Sequence, residues 1–150
     1  MIVWRVSKHQ SLAGSTAPGR WNLRGSRVLY TSNSPSLCAW EVFAHQVGTD
    51  SWPEDLLLLK IGVKEKNIIS VNPQDLPQGW NTLSYKNNAR RFGTSLFSKN
   101  DIPGFWIPSV VIREDYNLVL NPLFPNYSDL VTLEKAYPFD YDDRFRKFFR

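Results

Sequence analysis

Cysteine and long apolar runs are scarce in this 150-residue chain, and each scarcity excludes a class of protein. The single cysteine, Cys38, cannot form an internal disulfide, is compatible with a reducing cytoplasm, and is too little for a thiolate metal site. The longest aliphatic run, residues 56–59, is far shorter than the roughly 20 residues of a membrane-spanning helix, and Arg5 interrupts any secretory signal at the start. We therefore expect a cytoplasmic protein with no membrane span and no metal centre.

Negative charge is missing from the first 40 residues, whereas the whole chain carries a net charge of +4. This segment has no Asp or Glu but holds five basic residues: Arg5, Lys8, Arg20, Arg24 and Arg27. Two interpretations are open. The arginines form a solvated face balanced in space by later acids such as Glu54 and Asp55, or they form a site for a phosphate-bearing ligand, which Arg can bind through paired hydrogen bonds.

What the chain does contain favours a folded protein. Hydrophobic residues make up 42% of it and charged residues 21%, with six Trp, six Tyr and nine Phe. This composition argues against disorder, collagen and a long coiled coil. No repeat, low-complexity tract or long linker divides the sequence, so the length favours one compact domain over residues 1–150.

The pattern of apolar residues and turn formers predicts an α+β domain. One helix is clear: Ser34 is a good N-cap, Pro35 suits the first helical position, the segment runs to about Gln46, and Gly48 suits the C-terminal cap. Pro108 should lie at an edge, a bulge or a strand start, which places Ser109 beside irregular backbone. Six or so short strands are expected, at residues 2–6, 27–31, 56–63, 67–71, 105–112 and 117–120.

A weaker helix is expected at the C-terminus, where aromatic and basic residues alternate. The basic residues are Arg144, Arg146, Lys147 and Arg150, and the aromatic residues are Phe145, Phe148 and Phe149. Such a segment could bind nucleic acid, but its periodicity favours a helix that docks its aromatic side chains onto the core.

Glu41 is the one carboxylate of the clear helix, which is apolar on nearly all sides and is therefore expected to be buried. A buried charge costs several kcal/mol by order of magnitude unless a cation, a donor or a ligand compensates it. Either an early arginine forms a structural ion pair with Glu41, or Glu41 is an active-site carboxylate at the floor of a cleft. His45, one turn later, is a candidate hydrogen-bond partner.

Several fragments, in order, resemble the RES domain family. They are Pro18-Gly19-Arg20-Trp21-Asn22, Val28-Leu29-Tyr30-Thr31-Ser32 and Cys38-Ala39-Trp40-Glu41-Val42-Phe43-Ala44-His45, followed by Leu76-Pro77-Gln78-Gly79-Trp80, Ile107-Pro108-Ser109-Val110-Val111, Asn117-Leu118-Val119-Leu120-Asn121-Pro122 and the 139–144 tail. Three departures from the family pattern concern the geometry of loops around the expected pocket. Pro18 stands where Gly is frequent, Thr94 and Leu96 replace an Asp and a Trp, and Phe124 replaces a His.

The resemblance implies a fold similar to ADP-ribosyltransferases, with mixed β-sheets, a central buried helix and a C-terminal helix. It also implies a toxin of a toxin–antitoxin pair that cleaves the nicotinamide–ribose bond of NAD, with water or phosphate as acceptor and no cofactor required. Transfer to a protein is an alternative reaction, and a non-enzymatic, basic nucleic-acid-binding module is a further alternative. The implied partner is a helix-turn-helix (Xre-type) antitoxin, with a homodimer possible inside the complex and no direct contact of this chain with nucleic acid.

By the same resemblance, Arg20, Tyr30, Glu41 and Ser109 occupy active-site positions, and Arg5 matches a second arginine. Cleavage passes through an oxocarbenium-like state, which the Glu41 carboxylate could stabilise. Arg5 and Arg20 suit the pyrophosphate, and the Tyr30 ring suits the cationic nicotinamide or the ribose. Ser109 suits a hydrogen bond to a hydroxyl or to the nicotinamide amide. It is not expected to act as a nucleophile, because no Ser–His–acid set is found.

Overall fold

Seven strands form one mixed sheet in the computed structural model, which describes residues 1–84 and 87–149. The strands follow the order β4-β5-β6-β2-β1-β3-β7, and every neighbouring pair is antiparallel except β4 and β5. Their bounds are β1 Ile2–Ser7, β2 Leu29–Ser32, β3 Leu56–Val63, β4 Ile69–Ser70, β5 Gly104–Pro108, β6 Tyr116–Leu120 and β7 Val131–Phe139. The predicted α+β class is confirmed.

The six predicted strands are all present, with ends that differ in places. The largest difference is at β5, which ends at Pro108 instead of continuing to residue 112. Pro108 lacks the amide that a ladder needs, and the chain bends from residue 110 onward. Ser109 therefore does lie beside irregular backbone, as the sequence predicted.

The clear helix, α1, spans Pro35–Gln46 as predicted. Ser34 Oγ accepts from the Leu37 amide at 3.1 Å, and Gly48 adopts a φ of +86° just after the helix. The expectation that α1 is buried on nearly all sides is wrong. Only Leu37, Cys38 and Phe43 are buried, and Trp40 remains 43% exposed, because a single face of α1 packs on the sheet.

The C-terminal helix that the sequence predicted is present as a 3-10 helix, Asp143–Phe148. Its aromatic side chains do dock as expected, because Phe145, Phe148 and Phe149 lie 5.2, 5.9 and 5.5 Å from the Phe43 ring between centroids. Its basic side chains pair locally, Arg144 with Asp142 at 2.8 Å and Arg146 with Asp143 at 3.0 Å. Arg150 lies outside the described residues.

Two further α-helices occur in the described residues, α2 at Asn87–Leu96 and the short α3 at Tyr127–Leu130, and a 3-10 turn spans Pro73–Asp75. The sequence did not predict either α-helix. Helix α2 packs against the loop that precedes β2, and its buried positions are Ala89 and Gly93. In the described part of the chain, no helix is long and apolar enough to cross a membrane.

Candidate active site

Glu41 is held by two hydrogen bonds that end on the same oxygen. Ser109 Oγ donates to Glu41 Oε1 at 2.7 Å, and Asn117 Nδ2 donates to it at 2.6 Å. Both anticipated partners are therefore wrong. His45 is exposed, and no ion pair joins Glu41 to an arginine within residues 1–84 and 87–149. The donors lie after β5 and at the start of β6, so the helix carboxylate is fixed directly to the sheet.

Ser109 is fully buried and has all its hydrogen-bonding capacity in use. Its Oγ accepts from the amides of Val111 and Ile112, at 3.0 and 3.1 Å, and its single proton goes to Glu41. The bend after Pro108 produces this arrangement, because it turns the following amides back towards the hydroxyl. The Ser109 hydroxyl is thus directed at Glu41.

Tyr30 connects the loop before β2 to the sheet. Its hydroxyl donates to Asn22 Oδ1 at 2.6 Å and accepts from the Trp21 amide at 3.0 Å. Gly19 lies so close that a Cβ there would be 2.6 Å from the Tyr30 hydroxyl oxygen. A side chain at position 19 would displace the Tyr30 hydroxyl. Three residues of the Gly-Arg-Trp-Asn motif, Gly19, Trp21 and Asn22, therefore contact the Tyr30 hydroxyl directly.

The two candidate arginines, Arg5 and Arg20, both precede Tyr30 in the chain. Arg5 Nη1 donates to the Tyr30 carbonyl at 2.8 Å, and burial lowers the pKa of the Arg5 guanidinium. Arg20 follows Gly19 and donates from Nη1 to the carbonyls of Trp80 and Thr82, at 2.6 and 2.9 Å. Both guanidinium groups are thus oriented by neutral backbone oxygens.

Several arginines of the basic N-terminal segment donate to backbone oxygens. Arg27, like Arg5, donates to backbone carbonyls, those of Ala13 and Gly14. The ion pairs found in the described part of the chain join the N-terminal amine to Glu65, Arg144 to Asp142, and Arg146 to Asp143. Glu54 and Asp55 take part in none of these pairs.

The strand register places Tyr30 on the same face of the sheet as Asn117, one of the two side chains that hold Glu41. Tyr30 and Ser32 are two residues apart on β2, so their side chains share one face, and they pair with Val119 and Asn117 of β6. Asn117, which donates to Glu41, is therefore two residues from Val119, the β6 partner of Tyr30. Asn117 and Ser32 were missed as site residues because only the strand register shows what they face, and Asn22 was missed because only the folded loop brings it to Tyr30.

The departures from the family pattern occupy ordinary structural positions. Thr94 Oγ1 accepts from the Leu23 amide at 2.9 Å, so it still binds the loop after Arg20. Leu96 packs against the cluster around Trp21 and Phe105, while Pro18 and Phe124 are half-buried. No group of three or more His, Cys, Asp or Glu side chains that could hold a metal ion occurs in the described ranges.

The clamped carboxylate on the helix that follows the second strand, Glu41, is one of the positions at which the sequence resembles the RES domain family. Comparison with known proteins agrees, because the model of the RES domain family matches residues 2–142. The chain belongs to the RES domain family.

Named relatives of this chain are toxins. A protein named Toxin Res from Photorhabdus laumondii is 30% identical, covering 98% of both chains. Toxin Res from Yersinia enterocolitica is 26% identical over 97% of this chain and 100% of the relative. A Sphingobium protein named Prs ADP-ribosylating toxin is 26% identical over 94% of both.

A solved structure shares the fold. The M. tuberculosis MbcT-MbcA toxin-antitoxin complex contains a chain that superposes with a TM-score of 0.75 at 15% identity. The match covers 98% of this chain and 87% of that one.

Proposed function

We propose that this protein is the toxin of a toxin–antitoxin pair and that it breaks the nicotinamide–ribose bond of NAD. The observation that carries the proposal is the carboxylate of Glu41, which Ser109 and Asn117 clamp on the face of the sheet that also carries Tyr30. Membership in a family with toxin relatives supports the same assignment.

The bond breaks between the ribose anomeric carbon and the ring nitrogen of nicotinamide. The bonding electrons leave with the ring, which departs neutral because it began as a pyridinium, so no general acid is needed for departure. Positive charge develops on the ribose, and the Glu41 carboxylate stabilises it through the oxygen that Ser109 and Asn117 leave unoccupied, Oε2. Water then adds to the anomeric carbon and loses a proton, which gives ADP-ribose. Phosphate as acceptor gives the phosphorylated sugar instead.

The other site residues bind and orient the dinucleotide. Arg5 and Arg20 bind the pyrophosphate through their guanidinium groups. The N-terminal segment attracts this negatively charged group because it has basic residues and no acidic ones. The Tyr30 ring stacks on the cationic nicotinamide or contacts the ribose. This chemistry requires no cofactor, since NAD is the substrate and phosphate is at most a second substrate.

Transfer of ADP-ribose to a protein is the second candidate, because one relative is named an ADP-ribosylating toxin. The same bond breaks, and a protein side chain replaces water. The partner we propose is a helix-turn-helix antitoxin that covers the site, since the structural neighbour is a toxin–antitoxin complex. A homodimer inside that complex belongs to the same proposal, as does the absence of direct contact between this chain and nucleic acid.

The test is incubation of the purified protein with NAD, with and without phosphate, while nicotinamide and ADP-ribose products are followed by proton and phosphorus NMR. Glu41→Gln keeps the size of the side chain but removes its charge, so we expect at least about a 100-fold loss of nicotinamide release. Glu54→Gln, at an exposed position, is the matched control and should retain activity within about twofold.

The outcomes separate the candidates. ADP-ribose formed without phosphate indicates hydrolysis, and a phosphorylated product indicates phosphorolysis. Labelled protein bands from radioactive NAD and a cell lysate, without release from NAD alone, indicate protein transfer. Unchanged release by Glu41→Gln, or no reaction of folded protein in either assay, overturns the proposal. Steep salt-dependent binding of DNA or RNA by such inactive protein would favour the nucleic-acid-binding alternative.

A further inference from the structure

Asn117 lies between two polar side chains, one of which is Glu41. Its Nδ2 donates to Glu41 Oε1 at 2.6 Å, and its Oδ1 accepts from Ser32 Oγ at 2.8 Å. Ser32 is 3% exposed and stands directly opposite Asn117 in the β2–β6 ladder. These three side chains come from β2, α1 and β6, so they join separate elements through one continuous set of hydrogen bonds.

The direction of these bonds is fixed by chemistry. An ionised carboxylate can only accept, so Asn117 must present its Nδ2 to Glu41. Its Oδ1 then faces Ser32, and the Ser32 hydroxyl must donate to it. The arrangement therefore has one orientation, in which Ser32 holds the Asn117 amide with its donor towards Glu41.

We infer that Asn117, oriented by Ser32, is a positioning residue for Glu41. The inference rests on the proposed function of Glu41. Glu41 has three rotatable side-chain bonds, and the Ser109 donor alone leaves it free to turn about the Oε1 contact. A second donor on the same oxygen, from a different strand, fixes the plane of the carboxylate and directs Oε2 away from both donors. The substrate would meet Oε2, and Asn117 itself would not touch NAD.

The expected result is a loss of kcat without a loss of binding. Asn117→Ala should lower kcat about 10-fold or more and change the KM for NAD by less than about twofold, because only the orientation of Glu41 changes. Asn33→Ala is a matched control. Asn33 also donates its amide to a carboxylate, Asp115 Oδ1 at 3.2 Å, but at an exposed position, and its removal should leave kcat within about twofold.

Asn117→Asp distinguishes positioning from packing. It preserves the shape of the side chain and the acceptor for Ser32, but sets a second carboxyl against Glu41. The two carboxylates then repel or share one proton, and either outcome removes the ionised, oriented Glu41. At neutral pH we expect Asn117→Asp to lose more kcat than Asn117→Ala. A purely structural role would give the opposite order, because Asp conserves volume. Should Asn117→Ala fail to fold, Ser32→Ala provides the same kcat-against-KM comparison.

A second readout needs no NAD. The side-chain amide protons of Asn117, observed by nitrogen–proton NMR, should be shifted downfield and should move in Glu41→Ala and in Ser32→Ala. If the amide responds to Glu41→Ala but the protein cleaves no NAD, the proposed function fails while the hydrogen-bond arrangement stands. If NAD is cleaved but the amide does not respond, or if kcat is unchanged in Asn117→Ala, the positioning role is overturned.

Discussion

The hydroxyl of Tyr30 stabilises the loop before β2 through hydrogen bonds that its aromatic ring does not make. It accepts from the buried Trp21 and donates to the buried Asn22, whereas the ring is the part suited to a cationic ligand. Tyr30→Phe should therefore lower the free energy of unfolding by about 1–2 kcal/mol, since a buried amide loses a partner. Activity of the folded variant should stay within a few-fold. Urea unfolding followed by Trp fluorescence, together with NAD turnover, measures both effects.

Tyr116→Phe is the matched control, because Tyr116 is 44% exposed on a neighbouring strand. It should leave the urea midpoint unchanged. A Tyr30→Phe variant with normal stability but about a 100-fold lower turnover would show that the hydroxyl acts on the substrate instead.

Residues of the candidate site differed in how visible they were in the sequence. Glu41 could be recognised because a carboxylate inside an apolar helix is a local anomaly. Asn117 could not, because its partner lies 76 residues away and only the pairing of β2 with β6 brings them together. Local chemistry thus identified the charged group, while the side chains that orient it depend on strand register.

At the scale of elements, α2 packs tightly against the loop before β2, which contains Arg20 and Trp21. A Cβ added at Gly93 would lie 2.1 Å from the Trp21 carbonyl oxygen. Because that neighbour is backbone, Gly93→Ala must push α2 and the loop apart. We expect a loss of about 1–3 kcal/mol or more in unfolding free energy and a higher KM for NAD, because Arg20 moves with the loop.

Ser95→Ala, at an exposed position on the same helix, is the control and should shift stability by no more than about 0.5 kcal/mol. Thermal unfolding of both variants tests the prediction. Wild-type stability in Gly93→Ala would mean that α2 does not press on the loop.

The elements that the sequence predicted well carry their own signals. Helix α1 has an N-cap at Ser34, a Pro at the first position and a positive-φ glycine beyond its end. Helix α2 has no comparable signal. Its buried residues are the small Ala89 and Gly93, and Gly93 is buried because it packs against the backbone of Trp21 in the preceding loop. Strand β7 was missed because it lies at the edge of the sheet, where Glu134, Lys135 and Pro138 interrupt the alternation.

At the scale of the whole molecule, burial keeps several ionisable groups neutral in the folded state. Burial raises the pKa of the Cys38 thiol to about 12, from an ordinary value of 9.0, and the nearby Arg5 charge only partly offsets this. Burial also raises the pKa of Tyr127 and of Tyr141 well above 10.0. Cys38 and Tyr141 share one apolar cluster and Tyr127 packs against another, so the three titrations together report on both clusters.

The sign of the resulting pH dependence follows from which state binds more protons. Between about pH 9 and pH 12, the unfolded chain has lost the Cys38 proton that the folded chain keeps. Stability must therefore fall as pH rises through this range, by up to about 1.4 kcal/mol per pH unit for each proton involved. The two tyrosines add to the fall above about pH 10.

Urea unfolding of wild type and of Cys38→Ala at pH 8, 9, 10 and 11 measures this dependence. The variant starts from a lower stability, because a buried side chain is lost, but its stability should decline less steeply from pH 9 to pH 10, where Cys38 is the main contributor.

Thiol labelling of the folded protein is a second test of the raised Cys38 pKa. At pH 8 a thiol with a pKa near 12 has ~1,000-fold less thiolate than one near 9, so a disulfide reagent should modify Cys38 only as fast as the chain unfolds. Parallel pH profiles for the two proteins, or rapid labelling of folded chain, would mean that the thiol is not held neutral by burial, and the alkaline instability would then belong to the tyrosines alone.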